Sequence, residues 1–276
     1  MQPIDFDQQF QEYAGRFVQR NRTKFRNPEQ IETMMPDLFA KWCRTPKKWL
    51  EGKSPEQYFQ GFTEPAALVE LMRAYLAYDL TPPSLLLDRL VDLPGAEGAV
   101  LPLVEDGDPH MAILAIQLLI ELDSRAAMAT YLRMIAENER PAEVLDAAVE
   151  ALQTMADAAA EPALAAMEAA TQDAVRARLL DVLAACPKDE RIFAWMLRMF
   201  QNTLSNRALY AAYLGDYGDL RALPALKAAM ELPGLNYLDY IEIVHAIEAL
   251  GEEVEQNRDF AGDPSYEALK NMGDDA

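Results

Sequence analysis

Arg125-Ala-Ala-Met-Ala-Thr-Tyr-Leu132, Ala159-Ala-Glu-Pro-Ala-Leu-Ala-Ala166, Glu190-Arg-Ile-Phe-Ala-Trp-Met-Leu197 and Arg221-Ala-Leu-Pro-Ala-Leu-Lys-Ala228 are four versions of one short block. With Met128, Pro162, Phe193 and Pro224 taken as equivalent, the steps between them are 34, 31 and 31 residues. A period in this range, filled with helical patterning, marks stacked helix pairs, each too small to hide its apolar side alone. Outward from these blocks, consecutive pairs are expected over 96–122, 125–156, 159–185, 188–215 and 219–251. The expected fold class is all-α, an α-α superhelix.

Local signals agree with the period. In Pro141 to Met155, Val144, Ala148, Leu152 and Met155 recur at helical spacing, while Glu143, Asp146, Glu150 and Gln153 fill the other side. Asp108 followed by Pro109 reads as an N-cap and first helical residue. The helix it opens, Met111 to Leu122, is apolar nearly all round, which predicts cover on several sides. Residues 1–95 are helical in pattern but keep no period, and form an expected N-terminal cap. There Phe6, Phe10, Tyr13, Phe17 and Val18 suggest one amphipathic helix, and Pro28 to Trp42 another in which Pro36 could kink or break the chain. Gly52, Ser54, Pro55 and Gln57 supply a helix stop, an N-cap, a first position and a reciprocal capping partner. Residues 252–276, with Glu252, Glu253, Glu255, Asp274 and Asp275, are expected to be an acidic, frayed tail.

Composition bounds the partners. The net charge is −20, unevenly spread: residues 1–60 hold ten Lys/Arg against eight Asp/Glu, and the remainder 15 against 37. An acidic body repels phosphate backbones, so nucleic acid is not an expected partner, whereas a basic protein or peptide would be attracted. Cys43 and Cys186 are too few for a disulfide framework or a structural zinc site. The polar, acidic start and the lack of a long apolar run point to a cytoplasmic protein with no membrane contact.

Asp219-Leu-Arg-Ala-Leu-Pro-Ala-Leu226, preceded by Leu214-Gly215 and followed by Leu250-Gly251, resembles the HEAT-like repeat of the phycobilisome-lyase type. Gly215 or Gly218 would turn the chain after one helix and Asp219 would cap the next. The resemblance spans about residues 96–251. It implies a right-handed helical array and commonly a binding surface, but no particular reaction. Two enzymatic relatives of that architecture do not fit. Deoxyhypusine hydroxylase holds two irons with His-Glu dipeptides, and neither His110 nor His245 is followed by Glu. The HEAT-like DNA glycosylases use a basic groove, at odds with the acidic body.

Candidate chemistry is sparse. Glu242 and His245 lie one helical turn apart, the local spacing of a di-iron ligand pair, but no second such motif accompanies them. His110 falls in a first helical turn and reads as a surface residue. No histidine lies beside either cysteine in sequence, and both read as buried and structural. Nucleophile-elbow, Walker and dinucleotide-binding patterns are absent. Arg16, Arg20, Arg22, Lys24 and Arg26 form a basic run with Phe17 and Phe25, and Lys41, Arg44, Lys47 and Lys48 a looser one with Trp42 and Trp49.

Tyr210, Tyr213, Tyr217, Tyr237 and Tyr240 crowd the last repeats beside Asp216, Asp219 and Asp239. Tyrosine beside carboxylate suits a basic or aromatic peptide. Tyr210, Tyr213, Asp216, Tyr217, Tyr237 and Tyr240 are therefore the candidate partner-binding residues. Replacing Tyr213 and Tyr240 by Ala is expected to weaken binding and spare the helices. The expected function is a non-enzymatic protein-protein interaction scaffold with no cofactor; the alternative is an enzyme or cofactor-maturation factor of the tetrapyrrole lyase or chaperone kind.

Overall fold

The computed structural model describes residues 3–22, 25, 27–203, 206–255 and 258–274, with the side chains of 271–274 excepted. Lys24, Arg26 and Asp275 lie outside the described residues, as does the side chain of Asp274. The protein is all-α, with no strand among the described residues. It forms two compact units, residues 1–130 with 140–147 and residues 131–139 with 148–276.

Unit 1 begins with α1 (Phe6–Arg20), α2 (Pro28–Arg44) and α3 (Pro55–Gln60). The chain runs helically through Pro36 rather than breaking there. Phe6 is the hub of this region, with its ring 5.0 Å from Phe59, 5.6 Å from Tyr58, 5.7 Å from Trp49 and 6.4 Å from Trp42. Ahead of α3 the expected stop and start are both present. Gly52 is left-handed at φ 85°, Ser54 Oγ accepts from Gln57 N–H, and Gln57 Oε1 accepts from Ser54 N–H.

Then follow α4 (Pro65–Ala77), α5 (Ser84–Val91), α6 (Ala96–Val100) with a 3-10 extension to Glu105, and α7 (Pro109–Glu121). The last two make the expected pair 96–122. Met111, Ala112, Ala115, Ile116, Leu118 and Leu119 of α7 are buried. The division between units passes through α8 (Met128–Glu137) and α9 (Ala142–Thr154).

Unit 2 continues with α10 (Ala156–Ala169) and α11 (Asp173–Ala184), then α12 (Glu190–Asn202) and α13 (Arg207–Tyr217). A 3-10 turn at Leu220–Ala222 leads into α14 (Leu223–Met230), paired with α15 (Tyr237–Ala249). Each helix packs on its successor or on the equivalent helix of the next pair. α13 packs closely along α15. A Cβ on Gly215 would sit 2.8 Å from Ala246 Cα, so only glycine lets these backbones come so near. Gly215 is thus a packing residue inside α13, and it is Gly218, left-handed at φ 70°, that turns the chain.

A clamp recurs with the sequence period. Asp189 Oδ1 accepts from Arg191 N–H at 2.7 Å and Asp219 Oδ1 from Arg221 N–H at 3.0 Å. Each arginine then reaches back one repeat: Arg191 to Glu161, 30 residues earlier, and Arg221 to Glu190, 31 residues earlier, at 2.8 and 3.0 Å. The guanidinium of Arg221 also lies 4.6 Å from the Phe193 ring centre. The arginines hold the Asp189 and Asp219 carboxyls down to about 2.

The expected tail is in part structured. Residues 258–263 lead to α16 (Pro264–Asp274), which packs on α15. Phe260 is buried, 5.3 Å from Tyr237 and 4.9 Å from Tyr240. Arg258 donates to the Met230 and Leu232 carbonyls at 2.9 Å each.

Gly215→Ala should lower stability by about 1–3 kcal/mol in urea denaturation, because backbone rather than a movable side chain blocks the new methyl. Gly98→Ala, in open space on α6, should raise it by about 0.5–1 kcal/mol. Equal effects of the two changes would contradict this packing.

A folded-state carboxyl pKa of about 2 against an ordinary 3.8 stabilises the fold above pH 4 and stops doing so as pH falls towards 2. An Arg191→Ala/Arg221→Ala variant should therefore be slightly less stable than wild type at pH 6, the pairs being open to solvent. The two should converge by pH 2, and parallel stability curves would refute the clamp.

Candidate functional site

The structure does not bring the six candidate partner-binding residues into one surface patch. Tyr210, Tyr217 and Tyr240 are buried, with Tyr210 fully so, while Tyr213 and Tyr237 are half-buried and only Asp216 is exposed. The hydroxyl of Tyr217 accepts from Asp189 N–H at 2.6 Å and also lies 3.0 Å from the Asp189 carbonyl, which joins the end of α13 to the start of α12. Tyr213 hydrogen-bonds Asp181, and burial raises its phenol pKa well above the ordinary value. Gln153 donates to the same Asp181, at 3.0 Å to its carbonyl and 3.3 Å to its carboxylate, so a polar ladder runs across α9, α11 and α13. Tyr237 and Tyr240 pack under Phe260, and the Tyr237 ring is also 5.1 Å from Tyr266. Large side chains here fill the layers between helices, and Tyr213 and Tyr217 spend their hydroxyls internally.

The other singled-out residues separate as well. His245 Nδ1 lies 3.8 Å from Glu242 Oε1 on the solvent side of α15, and no group of three metal-ligand side chains occurs among the described residues. Cys43 is buried, and that burial, aided by Glu56, pushes its thiol up to about 11. Cys186 is buried too, with Sγ 3.3 Å from the Ala156 carbonyl, and burial raises its thiol pKa. The basic segments are partly spent internally. Arg16 pairs with Glu12 and Arg44 with Glu56. Lys47 is buried with its ammonium 4.8 Å from the Trp42 ring centre and 5.1 Å from that of Tyr13, and desolvation lowers its pKa.

A groove in unit 1, which the sequence did not disclose, lies between the end of α4 and the first half of α7. One wall is the end of α4. There Asp79 adopts a left-handed backbone, φ 57°, and Asp79 N–H donates to Leu76 O while Leu80 N–H donates to Tyr75 O. That pair of bonds is a Schellman stop with aspartate where glycine is usual. The facing wall is the first half of α7, whose start is fixed by Asp108 Oδ1 accepting from His110 N–H at 3.0 Å. Leu76, Leu80, Pro82, Ile113 and Leu114 make an apolar floor, and Asp79, Thr81, Asp108 and His110 stand on its rim. No ion pair engages Asp79 or Asp108 among the described residues. Such an arrangement can receive an apolar group and a cation together.

Comparison with protein-family models, with curated proteins and with solved structures finds no match. Among the described residues no helix is long and apolar enough to cross a membrane.

Tyr210→Ala and Tyr240→Ala should each destabilise by about 3–5 kcal/mol, the cost of emptying a buried aromatic site. Asp216→Ala should leave the urea midpoint unchanged. A well-folded Tyr240→Ala variant of wild-type stability would return that residue to the surface.

Proposed function

We propose that this chain is a HEAT-like interaction module without catalytic activity, which holds a protein or peptide on a preformed surface. The observation that carries the reading is the groove of unit 1: an apolar floor left open between two helix ends, each fixed by its own hydrogen-bonded cap. A surface set by capped helices loses little conformational freedom when it binds, so modest contact area can suffice. The acidic body favours encounter with a basic partner and makes the association rate sensitive to salt. Nucleic acid and membrane surfaces, both anionic, are disfavoured on the same ground.

The test is purification of the tagged full chain from its native cells, with the eluate examined for proteins, metal and visible absorbance. One protein recovered at a fixed ratio across salt washes is the expected outcome. Stoichiometric metal or a bound pigment would replace this reading with that of a cofactor-maturation factor of the tetrapyrrole kind.

A further inference from the structure

The groove joins two unlike features: a strip of half-buried aliphatic side chains facing water, and a rim carrying two carboxylates that no arginine or lysine pairs with among the described residues. Elsewhere in unit 1 the chain does neutralise such groups, as where Arg73 Nη1 meets Asp106 Oδ2 at 2.7 Å and Arg140 donates to the Asp106 carbonyl at 2.6 Å. We infer that the groove docks a short amphipathic helix of a partner protein. Leucine-like side chains one turn apart would lie on Leu76, Leu80, Ile113 and Leu114, and a lysine or arginine would face Asp79 and Asp108. The inference rests on the interaction-module reading and gives it a place and a partner chemistry.

Dimensions suit that occupant. The α7 wall from Asp108 to Leu114 rises about 9 Å, enough to accompany roughly two turns of a second helix. Two turns present two apolar side chains at i and i+4 and one polar group beyond them. An acidic helix would set like charges against the rim, which costs affinity. A purely apolar one would leave the carboxylates partly desolvated and without a partner.

The rim can be discharged without harming the fold. Glycine suits the left-handed position of Asp79 better than aspartate does, and asparagine caps a helix as well as the aspartate at position 108. The experiment uses the full chain, a fluorescein-labelled Leu/Lys helical peptide with Leu at i, i+4 and i+7, and its Glu-for-Lys counterpart, read by anisotropy. The wild type should bind the lysine peptide, while Asp79→Gly/Asp108→Asn and, separately, Ile113→Glu should each weaken it about tenfold or more. Glu143→Gln/Glu150→Gln, an equal loss of charge on exposed positions of α9, should change affinity less than about twofold.

Equal weakening by that control would show non-specific attraction to an acidic body and overturn the proposal. So would binding of the glutamate peptide with equal affinity, or no binding of the lysine peptide. Self-association of the wild type that Asp79→Gly/Asp108→Asn abolishes would reassign the groove to a second copy of the chain. A native partner that co-purifies equally with wild type and with all the groove variants would overturn the placement while leaving the interaction module standing.

Discussion

Helices of eleven to thirteen residues such as α11, α12, α13 and α15 are marginal in water by themselves, whatever their propensity. What fixes them is apolar surface removed from water between one helix and the next, at about 25 cal/mol per Å². Leu179, Leu180, Val182 and Leu183 of α11 and Ile243, Val244 and Ile247 of α15 are all nearly or wholly buried for this reason. How much area each contact buries depends on how near the backbones come. Alanine and glycine at the contact set that distance, and Gly215 against Ala246 is the limiting case. A methyl group there would hold the two helices apart and thin every contact around it, so the cost reaches beyond one side chain.

The arginine clamps act differently. Arg191, Arg221, Glu161 and Glu190 are all substantially exposed, and exposed ion pairs add little to stability. Their value is positional. An arginine fixed by its own N-cap aspartate can reach only one place on the preceding repeat, so it reports whether adjacent pairs are in register. Tyr217 does the same from the other end of the pair by bonding the Asp189 backbone. Greasy faces supply the free energy without preferring one register strongly, and these polar contacts choose among registers.

Much of the fold was legible because its signals are local. Helices occupy each of the stretches marked out by the period between residues 96 and 251, and the capping box at Ser54 and Gln57 forms as its residues suggest. Gly215 and Gly218 were indistinguishable as turn formers, since sequence shows a glycine but not whether a left-handed angle or a neighbouring backbone demands it. Asp79 and Asp123 end helices in left-handed conformation, φ 57° and 50°, without the glycine that advertises such a stop. The end of the chain looked like a tail because α16 is short and polar. Its anchor, Phe260, is a single residue whose partners Tyr237 and Tyr240 lie more than a repeat-half away. The same fact removed the tyrosine patch: crowding in sequence placed these rings in one layer, but not on its outside.

The groove was illegible for a related reason. An α7 that is apolar on every side predicts cover on every side, and most of it is covered, but Ile113 and Leu114 are not fully so. The open part of α7 faces the end of α4 and the residues that follow its stop at Asp79. A left-handed aspartate costs free energy that glycine would not, of order 1 kcal/mol. Asp123 accepts the same cost at the end of α7, so conformation alone does not single out Asp79. The difference is in the surroundings: Asp79 lines the groove together with Asp108 and the half-buried aliphatic side chains, and Asp123 does not. One residue thus ends a helix, bounds a groove and charges its rim. Mutating it to glycine separates the last of these roles from the first two.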